Sequence, residues 1–273
     1  IIIILKMIKK SQKKSKVKYA LDTSCQMEKI KGRNKWLTSL KNENNCVFFS
    51  PHYSLYELKY GLINDWINFY YFLEVNGIQN AFNQWSDRYG RASKNIAILQ
   101  GLILKDLDRT PITSVKTYLR SVESAIYTAL TIFEWNLEGF FGDFSTNKLV
   151  RHPLESRDDF DKFSKVVNEN KFIEFGEFVL KNMDAFKKLT FGLKASEVTL
   201  EEKHKKIIIV LEEVIKDTNR ANMHNNSKKM ADSVISVEIP SNLTFISKDE
   251  FHSIASAIPV SYTHLTLPTN REV

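Results

Sequence analysis

Val17-Lys18-Tyr19-Ala20-Leu21-Asp22-Thr23-Ser24 decides the fold: a short apolar strand that ends on a carboxylate followed by two hydroxyls. A second strand of buried type, Cys46–Phe49, runs through Ser50-Pro51 into a helix that carries Glu57, with Pro tolerated in the first turn. On that helix Leu55, Leu58 and Leu62 share one face, and Glu57 points beside it. A third strand, Leu243–Ile246, follows a helix carrying Asp232 and precedes Asp249. This strand–helix order is that of an α/β protein. Strand ends on one edge of a parallel sheet are where such proteins place their sites. Asp22, Glu57, Asp232 and Asp249 are expected to converge there and to bind a divalent metal. Taken singly, Asp22 and Asp249 also read as helix N-caps, and Glu57 and Asp232 as solvated acids.

The order and wording of these motifs resemble the PIN domains, a family of metal-dependent nucleases. Leu21-Asp22-Thr23-Ser24 matches the family's opening strand, which ends in Asp-Thr-Ser or Asp-Thr-Asn. Glu57-Leu58-Lys59-Tyr60-Gly61 matches its Glu-Leu pair before a small residue. Ala231-Asp232-Ser233-Val234 and Ser247-Lys248-Asp249-Glu250-Phe251 match the later helical Asp and the Ser/Thr-x-Asp-x-Phe turn. The resemblance covers about 1–64 and 225–258. It implies a PIN-like parallel sheet flanked by helices, and a hydrolase: an endoribonuclease that leaves a 5′-phosphate and a 3′-hydroxyl. It also implies Mg²⁺ or Mn²⁺ held by Asp22, Asp232 and Asp249, with Glu57 holding or deprotonating a water. Thr23, Ser24 and Ser247 are implied as hydrogen-bonding supports. RNA is the implied partner and DNA the other candidate, because no base-reading element is visible. The alternative is a non-catalytic PIN-like module that binds nucleic acid or protein. A phosphotransferase or phosphatase would be supported by Asp-x-Asp, which Asp22-Thr23-Ser24 lacks.

A rival register exists. Glu123-Ser124-Ala125-Ile126 followed by Phe141-Gly142-Asp143-Phe144 imitates the last two motifs at a shorter spacing. It lacks the Ser/Thr-x-Asp turn, uses Glu for Asp, and has two glycines in the strand before Asp143. Asp232 and Asp249 are preferred.

The resemblance makes 17–258 one discontinuous PIN-like domain, 17–64 with 225–258, interrupted by an all-helical insertion at about 65–224. Helical patterning is expected over Met27–Asn42, Asp65–Val75, Thr113–Leu137, Asp158–Leu189 and Thr199–Thr218, the last with Ile207–Leu211 as a buried helical segment. The insertion would cap the site, select the substrate or dock a protein partner. Its aromatics read as core. Arg88, Tyr89 and Arg91 beside Gly90 could stack a base, but an exposed loop is the preferred reading.

Residues 1–16 read as a basic, disordered arm, with Lys9, Lys10, Lys13, Lys14 and Lys16 available to phosphate or to solvent. Ile1–Leu5 is too short to span a bilayer and lacks the order of a signal peptide. With no other apolar span, a soluble, cytoplasmic protein without membrane contact is expected, starting at Met7. Ser261-Tyr262-Thr263-His264-Leu265-Thr266-Leu267-Pro268-Thr269 reads as a translated sequencing adapter, so 259–273 are set aside from the fold. On that reading the natural C-terminus, and a final strand with it, is missing.

With 273 residues, 43% hydrophobic and 26% charged, the chain can build a substantial core. Its net charge of +7 favours anionic partners. Two cysteines are too few for a disulfide scaffold or a Cys-based zinc site. Cys46 and Cys25 are assigned to packing. The histidines lack metal spacing, His52 reads as a loop residue, and no Gly-rich phosphate loop is present.

Overall fold

The computed structural model describes residues 16–44, 46–88, 90–106, 114–142, 144, 156–169, 175–195, 200–240, 242–248, 251–252, 255 and 263–266. Strands β1 (Val17–Leu21), β2 (Cys46–Pro51), β3 (Leu137–Phe141) and β4 (Thr244–Ser247) form a parallel sheet in the order β3-β2-β1-β4. Tyr19 pairs with Phe48 on one side and with Thr244 on the other. Alternation along the strands divides the core. Tyr19, Leu21, Phe48 and Ile246 face one cluster, and Ala20 and Phe245 face the other.

The first face is covered by α1 (Thr23–Ile30) and α2 (Lys35–Asn44), through Cys25 and Leu37. The expected single helical region Met27–Asn42 is thus two helices, parted by a turn at Lys31-Gly32. The second face is covered by α8 (Phe175–Lys181), α9 (Met183–Ala195), α10 (Glu202–Lys216) and α11 (His224–Glu238). Phe178, Phe186, Leu211 and Val234 are their buried anchors. Ile207–Leu211 lies within α10 as a helix.

A third cluster is wholly helical. Helix α3 (His52–Glu57) continues through a π-helical turn (Leu58–Ile63) into α4 (Asn64–Arg88). Pro51 is the last residue of β2 and the N-cap of α3, with extended ψ of 145°, so it precedes the helix instead of lying in its first turn. Helix α4 reverses at Gly77 (φ 73°, ψ 168°), a conformation only glycine takes without strain. Its two limbs then pack through Phe69 against Phe82 and Trp85. Helices α5 (Gly90–Asp106), α6 (Val115–Glu134) and α7 (Arg157–Glu169) close round Trp66, Leu99, Val122, Phe133 and Phe160. Among the described residues no helix is long and apolar enough to cross a membrane.

Three further expectations need correction. The span 65–224, expected to be all-helical, supplies β3. Helix α6 ends at Glu134, and Asn136, at φ 66°, turns the chain out of it. Asn tolerates this left-handed position better than most residues. Phe140 and Phe141 then face opposite clusters, the pattern of a strand. The expected run Asp158–Leu189 divides into α7, α8 and α9, with 170–174 outside the described residues. Last, Thr263–Thr266, set aside from the fold, forms β5, parallel to β4 at the outer edge. Backbone pairing on an open edge requires little of the side chains, so a segment with no strand pattern can still add to the sheet. The arm 1–15, Tyr89 and the side chains of Arg88 and Arg91 lie outside the described residues.

Candidate active site

All strands are parallel, so their C-terminal ends share one edge. The chain leaves β1 towards β2 and β3 and later returns to β4 on the other side. The switch point therefore falls between β1 and β4, where open α/β sheets form a crevice. Asp22 lies there and is 4% exposed. Its backbone N–H donates to the Ile246 carbonyl (3.1 Å), which continues the β1–β4 pairing. Asp22 Oδ1 accepts from the Ser24 N–H (3.1 Å), so Asp22 caps α1. Oδ2 accepts from the hydroxyls of Ser24 (2.6 Å) and of Ser247 (2.5 Å). The last of these bonds joins two residues 225 positions apart across the switch point.

Glu57 ends α3 where the π-helical turn begins, a helix irregularity frequent at functional sites. Thr23 links it to β1: the Thr23 hydroxyl contacts Glu57 Oε2 and lies 2.9 Å from Ser54 Oγ. Burial, with the charges of Asp22 and Asp232 nearby, pushes the Glu57 carboxyl up to about 8, against the opposing bond from Thr23. Asp232 lies on α11 and is one-third exposed, with His252 Nε2 3.7 Å from its Oδ1. Asp22 and Asp232 thus both lie near enough to Glu57 to disfavour its charge. Asp249, the fourth expected acid, lies outside the described residues.

Glu123 of the rival register is elsewhere. It accepts from the Tyr70 hydroxyl (2.6 Å) in the helical cluster, and Asp143 is outside the described residues. The Cys25 thiol faces the Ile246 carbonyl (3.5 Å), and burial pushes it up to about 12, so it is a packed thiol and not a nucleophile. Cys46 is buried. His52 Nδ1 lies 2.9 Å from the Gly142 carbonyl, and its ring stacks on Phe140, tying α3 to the end of β3.

Three residues around the site carry no motif. Ser54, one turn before Glu57, meets Thr23. Glu238, six positions after Asp232, accepts from the backbone N–H groups of Phe144 (2.8 Å) and Tyr53 (3.4 Å). It fills the space beside Gly142 (φ 92°), where any Cβ would strike its carboxylate. His252 follows Phe251, one place past the last motif. Only the helical spacing of Ser54 to Glu57 was open to sequence reading, because the other two meet their partners through tertiary packing.

The donor set is carboxylate and hydroxyl oxygen, the chemistry of a hard cation such as Mg²⁺ or Mn²⁺. Among the described residues no three His, Cys, Asp or Glu side chains stand close enough together to grip one ion. The comparison with known proteins returned no matching family model, no matching curated protein and no matching solved structure.

The Glu57 proton gives the first expected outcome. From pH 4.5 to about 8 the folded chain keeps a proton that the unfolded chain has released, so metal-free stability falls as pH rises through this window. Allowing for solvent screening, the fall is on the order of 2 kcal/mol. Burial lowers Lys29 to about 7 and Lys59 to about 8. Their folded forms lose protons before the unfolded forms do, so they add stability above those values, in the opposite direction. Glu57→Gln shares both lysines. Between pH 5 and 8.5, urea unfolding in EDTA should show the wild type losing stability relative to the variant by that amount. Parallel pH profiles would mean that Glu57 holds no such proton.

Proposed function

We propose that this chain is a PIN-like, metal-dependent endonuclease that hydrolyses RNA phosphodiester bonds at the strand-end site. One observation carries the reading: at the switch point of a parallel sheet Asp22 is held by Ser247 from across the sheet, and Thr23, next to it, contacts Glu57. Asp22, Glu57, Asp232 and Asp249 would hold Mg²⁺ or Mn²⁺, which when bound supplies an activated water and relieves charge on the phosphate. Ser24 and Ser247 hold the Asp22 carboxylate at the end of β1. Thr23 contacts Glu57, whose carboxylate, ionised beside a bound cation, would accept a proton from the attacking water. The net charge of +7 favours a polyanionic substrate.

End-labelled single-stranded RNA and DNA, each incubated with the protein in Mn²⁺ or in EDTA, test this reading. RNA should be cut in Mn²⁺ only, to products with 5′-phosphate ends. Cleavage of DNA alone would change the substrate and keep the site. A second reading, a non-catalytic module that binds nucleic acid or protein, draws support from the hydroxyls of Ser24, Ser247 and Thr23 that occupy the Asp22 and Glu57 oxygens. RNA binding without cleavage, unchanged by EDTA, would favour it.

A further inference from the structure

We propose that His252 is a positioning residue that holds the Asp232 carboxylate towards the acidic site. The inference rests on the metal-site reading above. His252 is 1% exposed and sits edge-on between Phe245 of β4 (centroids 4.9 Å apart, planes at 74°) and Phe251 (5.8 Å, 81°). Packed between two phenyl rings, the imidazole is held against rotation.

Its two nitrogens reach two residues one turn apart on α11. Nδ1 lies 3.0 Å from the buried Ser236 hydroxyl, and Nε2 lies 3.7 Å from Asp232 Oδ1. Positions i and i+4 share a helix face, so one ring spans both. An ionised carboxylate only accepts hydrogen bonds, whereas a serine hydroxyl donates or accepts. At 3.7 Å the contact with Asp232 is electrostatic and not a hydrogen bond; a proton on Nε2 would face the carboxylate and leave Nδ1 to accept from Ser236. Asp232 is one-third exposed, and an aspartate on a helix face has several rotamers. An N–H facing Oδ1 would restrict which of those rotamers the carboxylate takes. Groups that orient a metal-binding carboxylate in this way typically alter metal affinity when removed.

Two measurements decide it. Long-range ¹H–¹⁵N correlation spectra of the metal-free protein at pH 8 should place the His252 proton on Nε2; a proton on Nδ1 alone overturns the proposal. Titration calorimetry with Mn²⁺ should then separate two variants. A Gln amide reaches as far as Nε2, so His252→Gln should bind within about threefold of wild type. An Asn amide reaches only as far as Nδ1, so His252→Asn should bind about 10- to 100-fold more weakly than His252→Gln under conditions where thermal melts show both variants folded. Equal affinity in both variants and the wild type overturns the proposal. No Mn²⁺ uptake by the wild type sinks the metal-site reading itself, and the tautomer then decides whether His252 sets the Asp232 carboxylate.

Discussion

Asp22→Asn is expected to abolish Mn²⁺-dependent cleavage and leave the fold intact. The argument turns on what one oxygen-to-nitrogen exchange keeps and removes. Asparagine caps a helix as well as aspartate does, so the Ser24 N–H bond that starts α1 survives. The new amide faces the hydroxyls of Ser24 and Ser247, which can rotate to accept from it. The fold should lose no more than about 1 kcal/mol, chiefly from the missing charge at the helix N-terminus. The site, by contrast, loses its central negative charge. Without that charge the site would lose its hold on the cation that relieves charge on the phosphate, and turnover should fall by about 100-fold or more. Gel assays of RNA cleavage, run beside thermal melts followed by circular dichroism, check both halves. A folded variant that still cuts within tenfold of wild type, in a metal-dependent way, would move the chemistry away from the end of β1.

Trp66→Ala should produce the largest loss of stability, about 3–5 kcal/mol. Trp66 is fully buried, and its indole N–H donates to the Asn95 carbonyl of α5 (2.8 Å). Truncation leaves a cavity between α4 and α5 and removes the donor to that carbonyl. For a chain whose whole stability is on the order of 5–15 kcal/mol, this is a large share. Trp66 stands nine positions after Glu57 on the continuous helical run from α3 into α4. Loosening the run should therefore reach the site, and cleavage should fall at temperatures where the variant is still mostly folded. Urea unfolding at 25 °C gives the energy. A loss below about 1 kcal/mol would mean that α4 and α5 are not packed through this residue.

The strands that carry site residues were legible because their signals are local. Val17–Leu21 appears in the structure with the expected bounds, and Cys46–Phe49 and Leu243–Ile246 are each shifted or extended by one or two residues. Buried apolar runs beside turn-forming residues mark such strands wherever the chain later goes. β3 reads as a strand only within the rival register, and it is set aside with that register because Leu137-Glu138-Gly139-Phe140-Phe141 follows a long helical pattern and holds a glycine. Its strand character comes from β2, which offers an open edge beside it. Gly77 escaped for a similar reason, since a helix reversal is decided by what the two limbs pack against.

The position of Asp22 at a strand end, those of Glu57 and Asp232 on helices, and the α/β class follow from short-range pattern. Which of these acids share a site was decided by the tertiary structure. The order β3-β2-β1-β4 brings Ser247 to Asp22 across 225 residues, and Thr23 to Glu57. Tertiary packing alone also set the Glu57 proton affinity and placed His252 behind Asp232. The physical reason is that desolvation and charge–charge coupling depend on distance through space, and residue spacing along a chain does not record that distance.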